Sequence, residues 1–282
     1  MDEPRGGRAR WRRSGRSPLF LAACVVLAAL VGAGLLADLV APYSPTAVDA
    51  PQVFRGPSAS HPFGTDRFGR DVLSRLLYGI RVSLGIAGAS ILAAVTVGGV
   101  LGLLAGLGRA ADQLLGRVMD VFFAFPPILL AIGIAAVLGA GPGTAVVAIA
   151  VVYAPFFFRV VRASVLAESA QVYVEAAEAL GADRAAVLVR HILPNAVSPI
   201  IVQTAVCLSY AILIESALSY LGVGVQPPSP SWGAVLNEGK EFLALAPWVS
   251  LFPGGFIVLA VLAFNLIGDG LRDALDPRAE VR

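Results

Sequence analysis

The residues best placed to do chemistry lie in a charged, alanine-rich stretch at positions 174–184. It reads Val-Glu-Ala-Ala-Glu-Ala-Leu-Gly-Ala-Asp-Arg. Residues 174–180 favour a helix, Gly181 suits a helix C-cap or a sharp turn, and Asp183 can cap a second helix. We expect that second helix to end near Pro194, because proline interrupts the helical hydrogen-bond ladder. The spacing therefore predicts a helix–turn–helix.

The chemistry that this pattern offers is docking rather than catalysis. Ala176, Ala177 and Gly181 are small, and the last two, four residues apart, share one helix face. A small-residue face lets another backbone approach closely, and Glu175 and Arg184 can supply charged contacts at its rim. A surface helix that merely connects two membrane spans would show the same pattern, so the residues alone leave both interpretations open.

A second candidate group lies inside an apolar stretch at Glu215, Ser216 and Ser219. A charge at mid-membrane costs about 2.5–3.5 kcal/mol on insertion scales, so such residues usually face a cavity or a partner. These side chains are candidates for lining a translocation path. A structural hydrogen-bonding role and a position at the membrane interface are the alternatives.

No catalytic residue and no metal site is predicted. An intramembrane zinc or serine protease needs histidines within the membrane, whereas His61 and His191 lie outside the apolar runs. The phosphate-binding pattern G-x-x-x-x-G-K-[ST] requires a lysine followed by Ser or Thr. The one lysine, Lys240, is followed by Glu241. We therefore expect a chain that is not an enzyme and binds no cofactor, so that any ATP would be hydrolysed by other subunits.

The elements that position these groups are membrane spans. Of the 282 residues, 57% are apolar and only 14% charged, against about 25% charged in soluble domains. This excludes an ordinary soluble enzyme and a nucleic-acid-binding domain. A span needs about 20 apolar residues, and Pro126 and Pro127 suggest a kink or a break in the third. Gly98, Gly102 and Gly106 predict close helix packing. The predicted spans are residues 19–41, 82–107, 118–140, 144–161, 200–220 and 249–267.

Arginine and lysine placement predicts the orientation. With both termini cytoplasmic, 15 of the 21 basic residues lie inside and six outside. We expect a cytoplasmic Arg-rich tail at 1–17, a first transmembrane helix at 18–41 and an extracytoplasmic segment at 42–81. A five-helix core follows at 82–270 with a cytoplasmic loop at 162–197, and a cytoplasmic C-terminus at 271–282. The arginines between 67 and 81 are an exception, which an amphipathic helix lying at the outer interface would explain.

The stretch from Glu175 to Pro194 resembles the EAA loop of ABC-importer permeases. Its pattern is Glu-Ala-Ala-x3-Gly-x10-Ile-Leu-Pro. Further stretches, in one order along the chain, are similar to the C-type permeases of dipeptide, oligopeptide and nickel importers. They are HPFGTD at 61–66, GRDVLSRLLYG at 69–79, ALSYLGVG at 217–224, PPSPSWG at 227–233 and FNLIGDGLRDALDPR at 264–278.

The resemblance implies an all-α, six-span permease with the core of a type I ABC importer, in the cell membrane and in contact with its lipid. Its implied partners are a second homologous permease, two ATPase subunits and an extracytoplasmic substrate-binding protein, with no nucleic acid. Transport would follow alternating access, with ATP hydrolysed by the ATPase subunits. By the motif match, the residues that dock on the ATPase are Glu175, Ala176, Ala177, Gly181, Asp183 and Arg184.

The resemblance implies di- or oligopeptides as substrates, with nickel or another small solute as the alternative. A secondary transporter is the rival of a different class. Inverted repeats and paired intramembrane charges would favour it, but the sequence shows no such repeat and only Glu215 lies well inside a span.

Overall fold

The computed structural model describes residues 18–106, 108–181 and 183–275, and this part of the chain is almost entirely helical. Its one isolated β-bridge joins Thr65 to Asp71. The predicted tail at 1–17 and residues 276–282 of the predicted C-terminal segment lie outside the described residues. The α-helices, numbered in chain order, are α1 Pro18–Leu35, α2 Ala37–Val40, α3 Val72–Ala105, α4 Arg109–Phe123, α5 Pro127–Leu138, α6 Pro142–Ser169, α7 Val172–Ala179, α8 Arg184–Val187, α9 Leu193–Tyr220, α10 Trp232–Gly239 and α11 Trp248–Leu275.

Five of the described helices are long and apolar enough to cross a membrane. They are α1, α3, α6, α9 from Val197 onward, and α11. A sixth span exists only if α4 and α5 count together, and these two bend by 91° where they meet. The all-α, polytopic fold class is thus confirmed.

The third span, predicted at 118–140 with a kink or a break at Pro126 and Pro127, is interrupted at that place. The helix is interrupted between Phe123 and Pro127, because Pro126 and Pro127 supply no backbone N–H. The 12 residues of α5 measure about 18 Å, which is shorter than the hydrocarbon core of about 30 Å. Helix α5 therefore cannot cross a bilayer alone.

Helix α3 begins ten residues before the predicted start at 82. Asp71 caps its N-terminus, since Asp71 Oδ2 accepts from the Ser74 N–H at 2.7 Å and the Ser74 hydroxyl at 2.7 Å. Arg75, in the second turn, is 1% exposed. The interpretation of residues 67–81 as an interfacial amphipathic helix is therefore wrong. This stretch leads into a long helix. Arg70 and Arg75 turn inward, whereas Arg67 stays exposed and Arg81 is 34% exposed.

Helices α3 and α6 pack closely along the predicted glycine face. A Cβ at Gly98 would overlap the carbonyl oxygen of Ala154, and one at Gly102 would lie 2.8 Å from Val161 Cβ. Only glycine allows this approach. The main apolar core lies around these helices, and a second group, which we call the small cluster, contains Val161, Val165, Val174, Val187, Leu188 and Ile192.

The segment between α2 and α3 packs on the end of the bundle where α11 begins. Phe63 stacks on Phe252 with ring centroids 4.0 Å apart. The indole N–H of Trp248 donates to the Thr65 carbonyl at 3.0 Å. Residues 42–71 are therefore fixed against the bundle even though they form little regular structure.

Candidate functional site

The predicted docking segment, by which we mean residues 172–192, begins with two short helices joined by a turn. Helix α7 ends at Ala179, and Gly181 has φ +84°, the left-handed conformation that glycine adopts most readily. Asp183 Oδ2 accepts the N–H of Ala186 at 3.3 Å, so Asp183 caps α8. The helix–turn–helix predicted from residues 174–184 is present.

The second helix does not end near Pro194, and that prediction is wrong. Helix α8 passes into a π-helical turn at Leu188–Ile192, which continues directly into α9. The Leu193 N–H donates to Leu188 O, five residues back. Pro194 has no backbone N–H, so the helical hydrogen-bond ladder lacks one donor where the π turn passes into α9. The docking segment is therefore joined to α9 without a loop.

The surface of this segment is exposed and partly apolar. Val172 is 80% exposed and Leu180 90% exposed. Ala176, Gly181 and Asp183 are also exposed. A Cβ on Gly181 would meet nothing within 4 Å. The side chains of Glu175, Ala177 and Arg184 lie outside the described part of the structure. What is described offers a surface onto which another protein can pack.

Glu215 is fully buried inside the chain rather than open to a cavity. Its Oε1 accepts from the Ser219 hydroxyl at 2.9 Å, and its Oε2 accepts from Ser216 at 3.4 Å. The side chains of Ser83 in α3 and Ser231 before α10 lie near the same carboxyl. Glu215 is 0% exposed, Ser219 1% and Ser216 6%. The carboxyl joins three separate parts of the chain.

A buried ion cluster lies at the same end of the bundle, among residues that sequence reasoning did not group. Arg75 Nη1 lies 2.6 Å from Asp66 Oδ2 and 2.8 Å from Glu238 Oε2. Arg70 Nε lies 2.7 Å from Asp66 Oδ2, and Arg70 also binds Glu238. The four side chains are at most 8% exposed. The cluster fixes the segment before α3 to α10.

The environment of Glu238 favours its charged form. Burial alone would raise the pKa of this carboxyl, but the hydrogen bonds and charge of Arg75 outweigh burial, assisted by the charges of Arg70 and Arg67. The pKa of Glu238 therefore lies below its ordinary value. No local sequence pattern indicates this pairing, because Arg75 and Glu238 are 163 residues apart.

A cavity of about 790 Å³ lies between α6, α9 and α11. Its lining includes Glu168, Pro194, Gln203, Asp269 and Arg272. Pro194 places one edge of the cavity directly beside the docking segment. Among the described residues, no group of three or more His, Cys, Asp or Glu side chains could hold a metal ion.

The described geometry is that of a multi-pass membrane protein with an exposed helix–turn–helix between α6 and α9. Its sequence matches the family model of the binding-protein-dependent transport system inner membrane component over residues 98–281. It also matches the N-terminal TM domain of oligopeptide transport permease C over residues 7–57. The chain belongs to the family of binding-protein-dependent transport permeases and is a permease subunit of an ABC importer.

Sequence similarity to curated relatives extends along nearly the whole chain. A dipeptide transport system permease protein DppC of Alkalihalophilus pseudofirmus is 42% identical, covering 96% of this chain and 90% of that protein. A glutathione transport system permease protein GsiD of Pectobacterium atrosepticum is 43% identical, covering 95% and 90%. A putative peptide transport system permease protein of Brucella suis is 44% identical, covering 96% and 90%.

Solved structures share the fold. An inward-facing structure of the MetNI methionine ABC transporter aligns with a TM-score of 0.60 and 20% identity, covering 72% of this chain and 97% of that one. A second crystal form of the same transporter gives a TM-score of 0.59 and 19% identity, with coverage of 73% and 96%. At this identity the likeness establishes the fold alone.

Proposed function

We propose that this permease forms half of a translocation path for di- or oligopeptides. The observation that carries the proposal is identity of 42–44% over at least 95% of the chain to permeases named for dipeptide, glutathione and peptide transport. Glutathione is itself a tripeptide. This agreement favours peptides over nickel, the alternative that the motifs left open.

The proposed complex contains a second homologous permease, two ATPase subunits that hydrolyse ATP, and an extracytoplasmic substrate-binding protein. The chain itself would act as a transport subunit, with no nucleotide site and no enzyme activity of its own. Lys240 followed by Glu241, in place of the Lys-Ser/Thr pair of a phosphate loop, supports this division of work.

We propose that the chain lies in the cell membrane with both termini on the cytoplasmic side. Fifteen of the 21 basic residues lie on the inner side in this orientation. The arginines at 67–81 that opposed this count are partly explained by the ion cluster. Arg70 and Arg75 are buried against Asp66 and Glu238. Buried, paired arginines do not sample the membrane surface as free charges do.

We propose that the docking segment binds the ATPase through Glu175, Ala176, Ala177, Gly181, Asp183 and Arg184. The exposure of Ala176 and Asp183, and the open space around Gly181, support this. The assignment of Glu215, Ser216 and Ser219 to the translocation path stays a prediction. All three are buried within this chain, so a role in the path would require them to become accessible during transport.

Co-purification tests the proposal. The tagged chain is expressed with its adjoining genes, extracted in mild detergent, and its partners are identified. We expect a second permease and ATPase subunits with the wild type, and loss of the ATPase with Gly181→Trp. Gly181→Ala is the matched control, since it imposes the same left-handed strain without bulk. A chain that purifies alone and transports in vesicles without ATP would overturn the proposal in favour of a secondary transporter.

Substrate class requires a separate measurement. The purified complex is reconstituted with its binding protein, and uptake of a labelled dipeptide is compared with uptake of Ni²⁺ at equal concentration. We expect ATP-dependent uptake of the dipeptide. Uptake of Ni²⁺ alone would overturn the peptide assignment while leaving the family membership intact.

A further inference from the structure

Among the described side chains of helix α7, Val174 is the one that is buried, while the Tyr173 hydroxyl donates a 2.8 Å hydrogen bond to Glu168 near the end of α6. Val174 is 2% exposed, whereas Val172 is 80% and Tyr173 42% exposed. Ala176 and Ala179 are exposed as well. The two valines are of the same type and two residues apart, but only Val174 points into the protein.

Val174 does not reach the main core but packs in the small cluster. The cluster combines Val161 and Val165 of α6 with Val187, Leu188 and Ile192 of the segment after the turn. Leu103 of α3 and Ile200 of α9 pack against it. Three candidate spans and both halves of the docking segment therefore meet at one apolar contact.

The contact has little free space on its α3 side. A Cβ at Gly106 would overlap Val165 Cγ1 and lie 3.4 Å from Leu188 Cδ1. Closely packed interiors transmit displacement because they have few voids to absorb it. Val174 therefore gives α7 a closely packed contact with α6, and Leu188 continues that contact into the π turn that leads to α9.

We infer that Val174 is a positioning residue for energy coupling, and that the small cluster transmits ATPase movement to the spans. This rests on the proposed function, because it requires that an ATPase docks on α7. The inference assigns two different roles to two faces of helix α7. The exposed face binds the partner, while Val174 converts the partner's movement into movement of the membrane helices.

The test measures transport and ATP hydrolysis together in the reconstituted complex. Val174→Ala leaves the exposed face intact but opens a cavity in the small cluster. We expect the ATPase to remain bound and ATP hydrolysis to continue, while substrate transported per ATP falls by about fivefold or more, a typical allosteric coupling factor. Leu188→Ala, on the other side of the cluster, should lower the same ratio. Val174→Ile, which leaves no cavity but adds a methylene to a packed site, should lower the ratio less than Val174→Ala does.

Val172→Ala is the matched control, being the same substitution on the same helix. If it weakens docking, transport and hydrolysis will fall together and their ratio will not change. An unchanged ratio in Val174→Ala would overturn the inference. So would loss of the ATPase from Val174→Ala with a normal ratio in the remaining complexes, because Val174 would then be a docking residue. A wild-type complex that transports without ATP would contradict the proposed function instead.

Discussion

The hydroxyl of Ser219 donates a 2.9 Å hydrogen bond to Oε1 of Glu215 one helical turn away. The same hydroxyl oxygen accepts the backbone N–H of Val225 at 3.0 Å. A buried carboxyl in α9 is thereby linked to the turn that follows this helix. The link matters because the N–H of Val225 is buried too, and a buried donor without a partner is costly.

Ser219→Ala is expected to destabilise the protein by about 1–3 kcal/mol, because it leaves the buried Val225 N–H without its acceptor. Thermal unfolding of the detergent-extracted complex measures the effect. Ser216→Ala is the control. The hydroxyl of Ser216 makes a longer, 3.4 Å bond to the same carboxyl, so a smaller loss is expected. Equal losses for the two variants would contradict the importance given to the Val225 contact.

The lowered pKa of Glu238 predicts that the protein loses part of its folding stability at acidic pH. Its pKa is lower in the folded protein than in the unfolded chain, so its ionised form stabilises the fold. That contribution is complete above the ordinary glutamate pKa of about 4.3 and is lost as pH falls through the lower folded value. Glu238→Gln should lower stability near neutral pH by about 3 kcal/mol. On acidification, this variant should lose less stability than the wild type does. Thermal midpoints between neutral and acidic pH measure both effects.

Glu241→Gln is the control for Glu238→Gln, because Glu241 is exposed in the same part of the chain. It should follow the wild-type acid profile. If Glu238→Gln also retained the full acid dependence, the ion cluster would not be its source.

Gly98→Ala and Gly88→Ala test the packing of α3 on α6. A Cβ at Gly98 would overlap the Ala154 carbonyl and approach the Phe158 nitrogen to 2.9 Å, whereas one at Gly88 meets nothing within 4 Å. Overpacking predicts a loss of about 1–3 kcal/mol for Gly98→Ala. Gly88→Ala should be neutral or gain up to about 1 kcal/mol from helix propensity. Thermal unfolding compares them, and similar stabilities would show that the two helices can separate at no cost.

The apolar runs predicted the spanning helices well, because each run is a continuous stretch of lipid-compatible side chains. The bend between α4 and α5 was indicated only by Pro126 and Pro127. Hydropathy is an average over residues and does not report the direction of the helix axis. One straight span and a helix pair bent by 91° therefore have the same hydropathy. The early start of α3 was missed because Arg75 breaks the apolar run, while its partners lie elsewhere in the sequence.

The docking segment was predicted from local signals that act over a few residues, namely the Gly181 turn and the Asp183 cap. The ion cluster and the small cluster could not be predicted in this way. Val174 and Val172 are identical residues on one helix, and only the fold decides which is buried. Arg70 and Arg75 meet Glu238 through tertiary contacts that span more than half of the chain.

The distance along the chain between Arg75 and Glu238 also sets an order of events during synthesis. A ribosome adding about 5–20 residues per second takes roughly 8–33 s to cover the 163 residues between them. During that interval Asp66 is the one acidic member of the cluster that has already been made. The cluster can close only after four of the five candidate single-helix spans have been synthesised, with α11 still to follow, so it cannot be the contact that starts assembly of the bundle.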